Sequence, residues 1–193
     1  PGIGRSESTA RALGVFLKSC YAAKKPLVLD ADALNIISDN PDLLDFIPAR
    51  SVITPHAGEF DRLFGAQNSH GTRTLMALEM AQRYNIVILL KGPKTFTIWP
   101  DGSILVNSSG TEALATAGSG DVLTGLLAGL MAQKIMPEIA AAVGAYIHGV
   151  AGRIAARTCG IQGTTAEDIA DAIGPAIDTI LNPRPAGAKN LSI

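Results

Sequence analysis

Residues 85–92, NIVILLKG, run apolar from Ile86 to Leu90 and stop at a lysine. A strand of that kind offers no polar face to water, so it belongs inside a sheet covered on both sides, as parallel sheets are. PLVLDADALN, from residue 26, repeats the plan with a short apolar strand at 26–30 ending in acids. SVITPHAGEFDRLFG repeats it again: strand 51–54, Pro55 as a stop, a short helix, and Gly65 as its exit. Helical patterns lie around these strands. Residues 6–23 put Ala10, Leu13, Phe16, Leu17 and Cys20 on one face behind a Ser6 or Ser8 cap, and residues 72–84 read as a second helix. TFTIWPDGSILVN reads as two strands about Asp101-Gly102, a hairpin signal. Helices close the chain at about 121–133, 137–157 and 166–181, and residues 182–193 read as a frayed tail.

That order predicts one three-layer α/β domain over residues 1–193, with a mainly parallel sheet and one hairpin. Ligands of such sheets sit at the carboxyl ends of the strands. The polar clusters fall there: Asp30 and Asp32, His56 and Glu59, Lys91 and Lys94, and the turn at 118–121.

Composition removes several classes. With 47% hydrophobic and 17% charged residues, the chain is not a disordered segment. A net charge of -1 argues against a nucleic-acid surface. The longest apolar run, near 122–132, is too short to cross a membrane. Cys20 and Cys159 form neither a metal-spaced pair nor a disulfide framework, which points to a reducing, cytoplasmic setting. The chain opens PGIGRSESTA, a Gly-rich turn into a helix with no strand before it. The expectation is that the N-terminal part of the fold lies outside this sequence.

TAGSGDVLTGLLAGL, residues 116–130, carries the chemistry. Gly118, Ser119 and Gly120 at a helix start aim backbone N–H groups outward, an anion hole suited to phosphate. Asp121 beside it reads either as a base for a hydroxyl attacking that phosphate or as the helix cap. Lys91 reads as a point charge for a nucleotide phosphate or as a solvated strand end, with Gly92 and Thr95 fitting close approach and a hydroxyl contact. Glu59 could hold Mg2+ through water and His56 could donate to a substrate oxygen; equally, they are a first-turn acid and a turn residue. His56, His70 and His148 lack zinc spacing, and no Gly-x-Ser-x-Gly is present. His148, inside GAYIHGVAG, reads as a core or subunit-contact histidine, and the Gly125, Ala128, Gly129 row as a device for close helix packing.

TPHAGE, LLKGPKT, DGSILVNSSG and GSGDVLTGLLAGLMAQ, with PGIG and LVLDADALN upstream, together resemble the nucleotide-dependent NAD(P)H-hydrate dehydratases of the ribokinase-like superfamily. The resemblance runs from residue 1 to about 181. It implies an α/β/α ribokinase-like fold and a carbon–oxygen lyase that repairs hydrated NADH and NADPH. ADP or ATP would phosphorylate the ring hydroxyl, and phosphate, a far better leaving group than hydroxide, would then depart. By motif match, Lys91, Gly92, Pro93, Lys94, Thr95 and Gly120 face the nucleotide. Gly2, Gly4, His56 and Asp121 face the hydrated cofactor, Glu59 matches the acid associated with Mg2+, and Asp121 matches the catalytic acid. The small-residue helices late in the chain permit the subunit packing of a homo-oligomer, and an epimerase, fused or separate, is the partner expected with this family. The sequence departs from the family pattern at TEAL (111–114), where Asn-Pro-Gly-Met is usual, which brings Glu112 near the phosphate path. It departs again at Ser119, where Thr is usual, and at Arg153, where an acid is common. Two rivals remain at this stage: a small-molecule kinase of the same superfamily, and a nucleotide-binding remnant without turnover.

Overall fold

A computed structural model describes residues 1–183; the tail expected at 182–193 lies outside the described residues from 184 onward. Helix α1 (Glu7–Ala22) starts where Ser6 accepts a hydrogen bond from the Thr9 amide. It buries Leu13 and Leu17. Phe16, expected on the same face, is 52% exposed, because no described element covers that flank.

β1 (Val28–Leu29), β2 (Val52–Ile53) and β3 (Val87–Leu90) pair in parallel, in that order. The hairpin of β4 (Thr95–Ile98) and β5 (Ile104–Asn107) adds two antiparallel strands beyond β3, so the five-stranded sheet is mixed. β3 is buried along its whole length, as its unbroken apolar run requires. Its residues divide by strand period. Ile88 and Leu90 enter a core shared with α1, α2 (Asp32–Asp39), α3 (Ala57–Phe64) and α4 (His70–Tyr84). Val87 and Leu89 enter a second core with α5 (Ser119–Ala132) and α6 (Pro137–Cys159). Ile53 and Val52 of β2 divide in the same way. These are the two helical layers of a three-layer fold.

Two elements had no clear sequence signal. α2 follows Ala31, whose φ of 49° and ψ of -114° provide no Ser/Thr-type cap, and a 3-10 helix (Pro41–Phe46) follows it. The helix expected at 166–181 is two, α7 (Ala166–Asp171) and α8 (Ile173–Leu181). Pro175 has no N–H to return to the Asp171 carbonyl, so one continuous ladder cannot form.

α6 is longer than the apolar run at 122–132, with 23 residues and a mean hydropathy of 1.4 over its most apolar 18-residue window. By length and composition alone it is sized for a membrane span, but 56% of its apolar window is buried inside the fold. It packs on α5 and β3 on one side and on α7 and α8 on the other. The close-packing glycines lie on this helix. A Cβ at Gly144 would strike Leu127, one at Gly149 would strike Ser109, and one at Gly152 would strike Leu114 and Thr111. Gly125 and Gly129, expected to do that work, have nothing within 4 Å of an added Cβ and face outward with Ala128. The segment after β5 is thereby strapped to α6. The single Ser109 hydroxyl proton is shared between Asn107 Oδ1 and Tyr146 O, Asn107 Nδ2 donates to Ala145 O, and Arg153 Nη2 donates to Ser108 O at 2.8 Å.

Candidate nucleotide and phosphoryl site

The strap, the β3–β4 turn, the start of α5 and the middle of α6 enclose a cavity of about 880 Å³ at the carboxyl edge of the sheet. That volume is within the range of small-molecule and cofactor sites. Lys91, Gly92, Pro93 and Thr95 line one wall, Ser119 and Gly120 the end. Lys94 is exposed and is not on the wall.

α5 begins at Gly118, which takes a φ of 82° at the N-cap, and no side chain caps it. Left-handed backbone suits glycine, and here a Cβ would also crowd the Ala166 Cβ at 3.1 Å. The Ser119 amide reaches Thr116 O at 3.3 Å, and the Asp121 amide bonds Gly118 O at 3.0 Å. The Gly120 amide has no acceptor among the described residues. Unengaged N–H groups at a helix start, on a cavity wall, are what an anion requires. Of the expected anion hole, Ser119 and Gly120 face the cavity, whereas Gly118 shapes the turn behind them. Asp121 is exposed, makes no side-chain hydrogen bond among the described residues, and does not cap the helix. It stands one residue beyond the cavity wall.

Beneath this turn lies a cluster only partly foreseen. Asp30, 2% exposed, ends β1. Its Oδ1 accepts from Lys91 Nζ at 2.8 Å and from the Ala31 amide at 2.9 Å, and its Oδ2 accepts from Thr124 Oγ1 of α5 at 3.1 Å. Glu59 Oε2 lies 4.0 Å from the same ammonium. Lys91 is therefore neither a solvated strand end nor a free point charge; it is pinned to the carboxylates of β1 and α3. A Cβ on Gly120 would come within 3.4 Å of Asp30 Oδ2 and 3.5 Å of Lys91 Nζ, so the turn that opens α5 rests on the pair. Sequence reading set Asp30 and Asp32 together at the strand end. The structure separates them: Asp32 Oδ2 accepts from the Gly4 amide at 2.9 Å instead. Gly2 and Gly4, with φ of 66° and 74°, lie in the exposed N-terminal turn, away from the large cavity. Their neighbours Pro1 and Ile3 line a separate groove of about 350 Å³ with Phe16, Val28 and Asp30.

His56 and Glu59 form a capping box on α3. His56 Nδ1 accepts from the Gly58 amide at 3.0 Å, and Glu59 Oε2 accepts from the His56 amide at 2.8 Å. This is the structural alternative that the sequence left open. His56 also reaches the cavity wall, and Glu59 Oε1 is 3.5 Å from His56 Nε2. Among the described residues no three His, Cys, Asp or Glu side chains converge as a metal cage. The donor set fits only a cation that arrives with its own phosphate ligands, as Mg2+ does.

His148 is buried, as the core reading of its helix expected, but it also borders the cavity. Its Nε2 lies 3.3 Å from Ser119 Oγ. Burial pushes its pKa down to about 4; hydrogen bonding to the Ser119 backbone opposes that, and the Lys91 charge adds to it. The folded pKa thus lies below the ordinary 6.5, so the unfolded chain takes up this proton first as pH falls. The stability that depends on neutral His148 is complete above pH 6.5 and lost toward pH 4, about 3 kcal/mol in all. Urea unfolding at pH 7.5 and 4.5 should show this slope in the wild type and not in His148→Gln; equal slopes would place the histidine in contact with solvent.

Residues 1–175 match the family described as NAD(P)H-hydrate dehydratase. The bifunctional NAD(P)H-hydrate repair enzyme Nnr of Moorella thermoacetica is 42% identical over 173 residues, 89% of this chain and 32% of the relative. The ADP-dependent (S)-NAD(P)H-hydrate dehydratase of Neisseria meningitidis is 40% identical over 153 residues, 77% of this chain and 52% of the relative. The ADP/ATP-dependent NAD(P)H-hydrate dehydratase of Bacillus subtilis, co-crystallized with ATP/Mg2+, superposes with a TM-score of 0.75 at 28% identity, covering 92% of this chain and 62% of that one. The chain thus spans about a third of the bifunctional relatives' length.

Proposed function

The chain belongs to the NAD(P)H-hydrate dehydratase family, and from that premise we propose that it uses ADP or ATP to dehydrate hydrated NADH and NADPH. The observation that carries the proposal is the cavity whose end wall is the unengaged Gly120 amide, with the uncapped Asp121 one residue further on.

The nucleotide lies along Lys91, Gly92, Pro93 and Thr95 and brings its terminal phosphoryl group to Gly120 and Ser119. Asp121 accepts the proton of the ring hydroxyl as that oxygen attacks phosphorus, and AMP or ADP leaves. The carbon–oxygen bond then breaks with phosphate as leaving group, a ring proton is lost, and the dihydropyridine is restored. Lys91, held by Asp30 and Glu59, supplies a fixed positive charge with no rearrangement during transfer. Mg2+, held through water by Glu59, would neutralise phosphoryl oxygens when bound. Glu112, on the cavity wall where the family pattern has Pro, adds a carboxylate near the phosphates and favours the shorter, less charged nucleotide, ADP. Exposed Ile104, Leu105 and Val106 on β5 and Ile139, Val143 and Tyr146 on α6 support a homo-oligomer. An epimerase, fused or separate, is the partner that would supply the reactive epimer.

The test is a spectrophotometric assay with the full-length product of the gene. Hydrated NADH with ADP or ATP should regain dihydronicotinamide absorbance, with AMP or ADP and phosphate released in equal amounts. A stable phosphorylated alcohol from another substrate, without that recovery, would make the protein a kinase; nucleotide binding with no turnover would make it a remnant.

A further inference from the structure

His148 has no part in the nucleotide contacts described so far. Its neighbours on the buried side of α6 are small: Gly144, Ala145, Ala151 and Gly152. A polar ring in such a row needs a hydrogen bond to offset its burial. Among the described residues its one side-chain partner is Ser119, 4% exposed, with Oγ 3.3 Å from Nε2. Both residues line the large cavity, and Ser119 opens α5 immediately before the unengaged Gly120 amide.

We propose that His148 is a positioning residue of the phosphoryl site: as the neutral Nε2–H tautomer it donates to Ser119 Oγ and so leaves the Ser119 hydroxyl proton to meet a phosphoryl oxygen. The inference rests on the nucleotide reading of the cavity and adds the group that orients one of its donors. A hydroxyl has one proton and two lone pairs. Were Ser119 to give that proton to Nε2, it would turn only lone pairs toward the phosphate, which repel it. With the proton on Nε2 instead, Ser119 accepts from the ring and its own O–H must point elsewhere. The cavity is where an anion would draw it, beside Gly120 and Lys91. A doubly protonated ring would donate too, but burial and the neighbouring ammonium hold the imidazole neutral. The ring is then a fixed donor and exchanges no proton with substrate. Ser119 stands where the family pattern has Thr, so the hydroxyl on which this arrangement depends is retained.

Calorimetric titration of the full-length protein with ADP reads the effect. Ser119→Ala and His148→Phe should each weaken ADP about tenfold, the scale of a hydrogen bond to a charged acceptor. The double variant should be no weaker than Ser119→Ala alone, because His148 acts through Ser119. His148→Gln, which keeps a neutral N–H at similar reach, should restore affinity to within about threefold. Nitrogen-15 NMR of the wild type should show the Nε2–H tautomer. Losses that multiply in the double variant, an Nδ1–H tautomer, or unchanged affinity in His148→Phe would overturn the proposal. Should His148→Phe not fold, Ser119→Ala, His148→Gln and the tautomer decide it. A wild type that fails to bind ADP would remove the nucleotide reading as well, whereas normal binding with indifferent variants would remove this inference alone.

Discussion

Asp121→Asn is expected to lower turnover by about three orders of magnitude while leaving ADP affinity near or above that of the wild type. The substitution keeps size and polarity and removes only the capacity to take a proton. The carboxylate caps nothing and has no side-chain partner among the described residues, so its loss breaks no structural bond. Removing a negative charge next to a phosphate site also relieves repulsion, which is why binding should hold or improve. Steady-state kinetics and ADP titration on the same preparation give both numbers. A variant that keeps its turnover would leave Asp121 as a solvated first-turn acid, favoured there only by the helix dipole.

Asp30→Ala should cost about 3–5 kcal/mol of stability, because it strands a partly buried ammonium. The carboxylate is 2% exposed and ties three elements: its own strand end, Lys91 after β3, and Thr124 of α5. Glu59 is too distant, at 4.0 Å from Lys91 Nζ, to replace it without moving. The loss should extend to function, since the Gly120 turn rests on this pair. Urea unfolding near neutral pH measures the first effect and ADP titration the second. Asp30→Asn keeps one carbonyl oxygen to accept from the Ala31 amide and Lys91 but puts an NH2 group where Thr124 donates to Oδ2, so it should keep only part of the stability and lose charge pairing with Lys91. A change below about 1 kcal/mol in Asp30→Ala would class the pair with surface ion pairs.

The sheet was legible because strand period and burial agree. An apolar run such as Val87–Leu90 must feed two cores, and it does. The Gly-rich turn before α5 was legible as a turn because glycine at an N-cap has a backbone reason, which Gly118 supplies with its positive φ. What stayed hidden depends on neighbours distant in sequence. Asp30 and Asp32 are indistinguishable in LVLDADALN, and only the fold sends one to Lys91 and the other to Gly4. Gly149 carries no local sign that Ser109, forty positions earlier, presses against it. Gly125 and Gly129 resemble it in the string yet face outward. His148 was read as core because its helix is apolar; its partner, Ser119, belongs to a different helix. α2 escaped because its entry uses an uncommon conformation at Ala31 instead of a Ser or Asp cap. That conformation also holds the Ala31 amide against the Asp30 carboxylate, so the missed helix boundary and the unforeseen separation of Asp30 from Asp32 lie at the same turn.

The most direct test is a crystal structure of the protein grown with ADP and Mg2+. The phosphoryl oxygens should lie within hydrogen-bond distance of the Gly120 amide, with the adenosine in the cavity between the β3–β4 turn and α6 and the Asp121 carboxylate free of its own backbone. An empty cavity, or a nucleotide bound elsewhere with Asp121 folded back onto the α5 amides, would contradict the assignment.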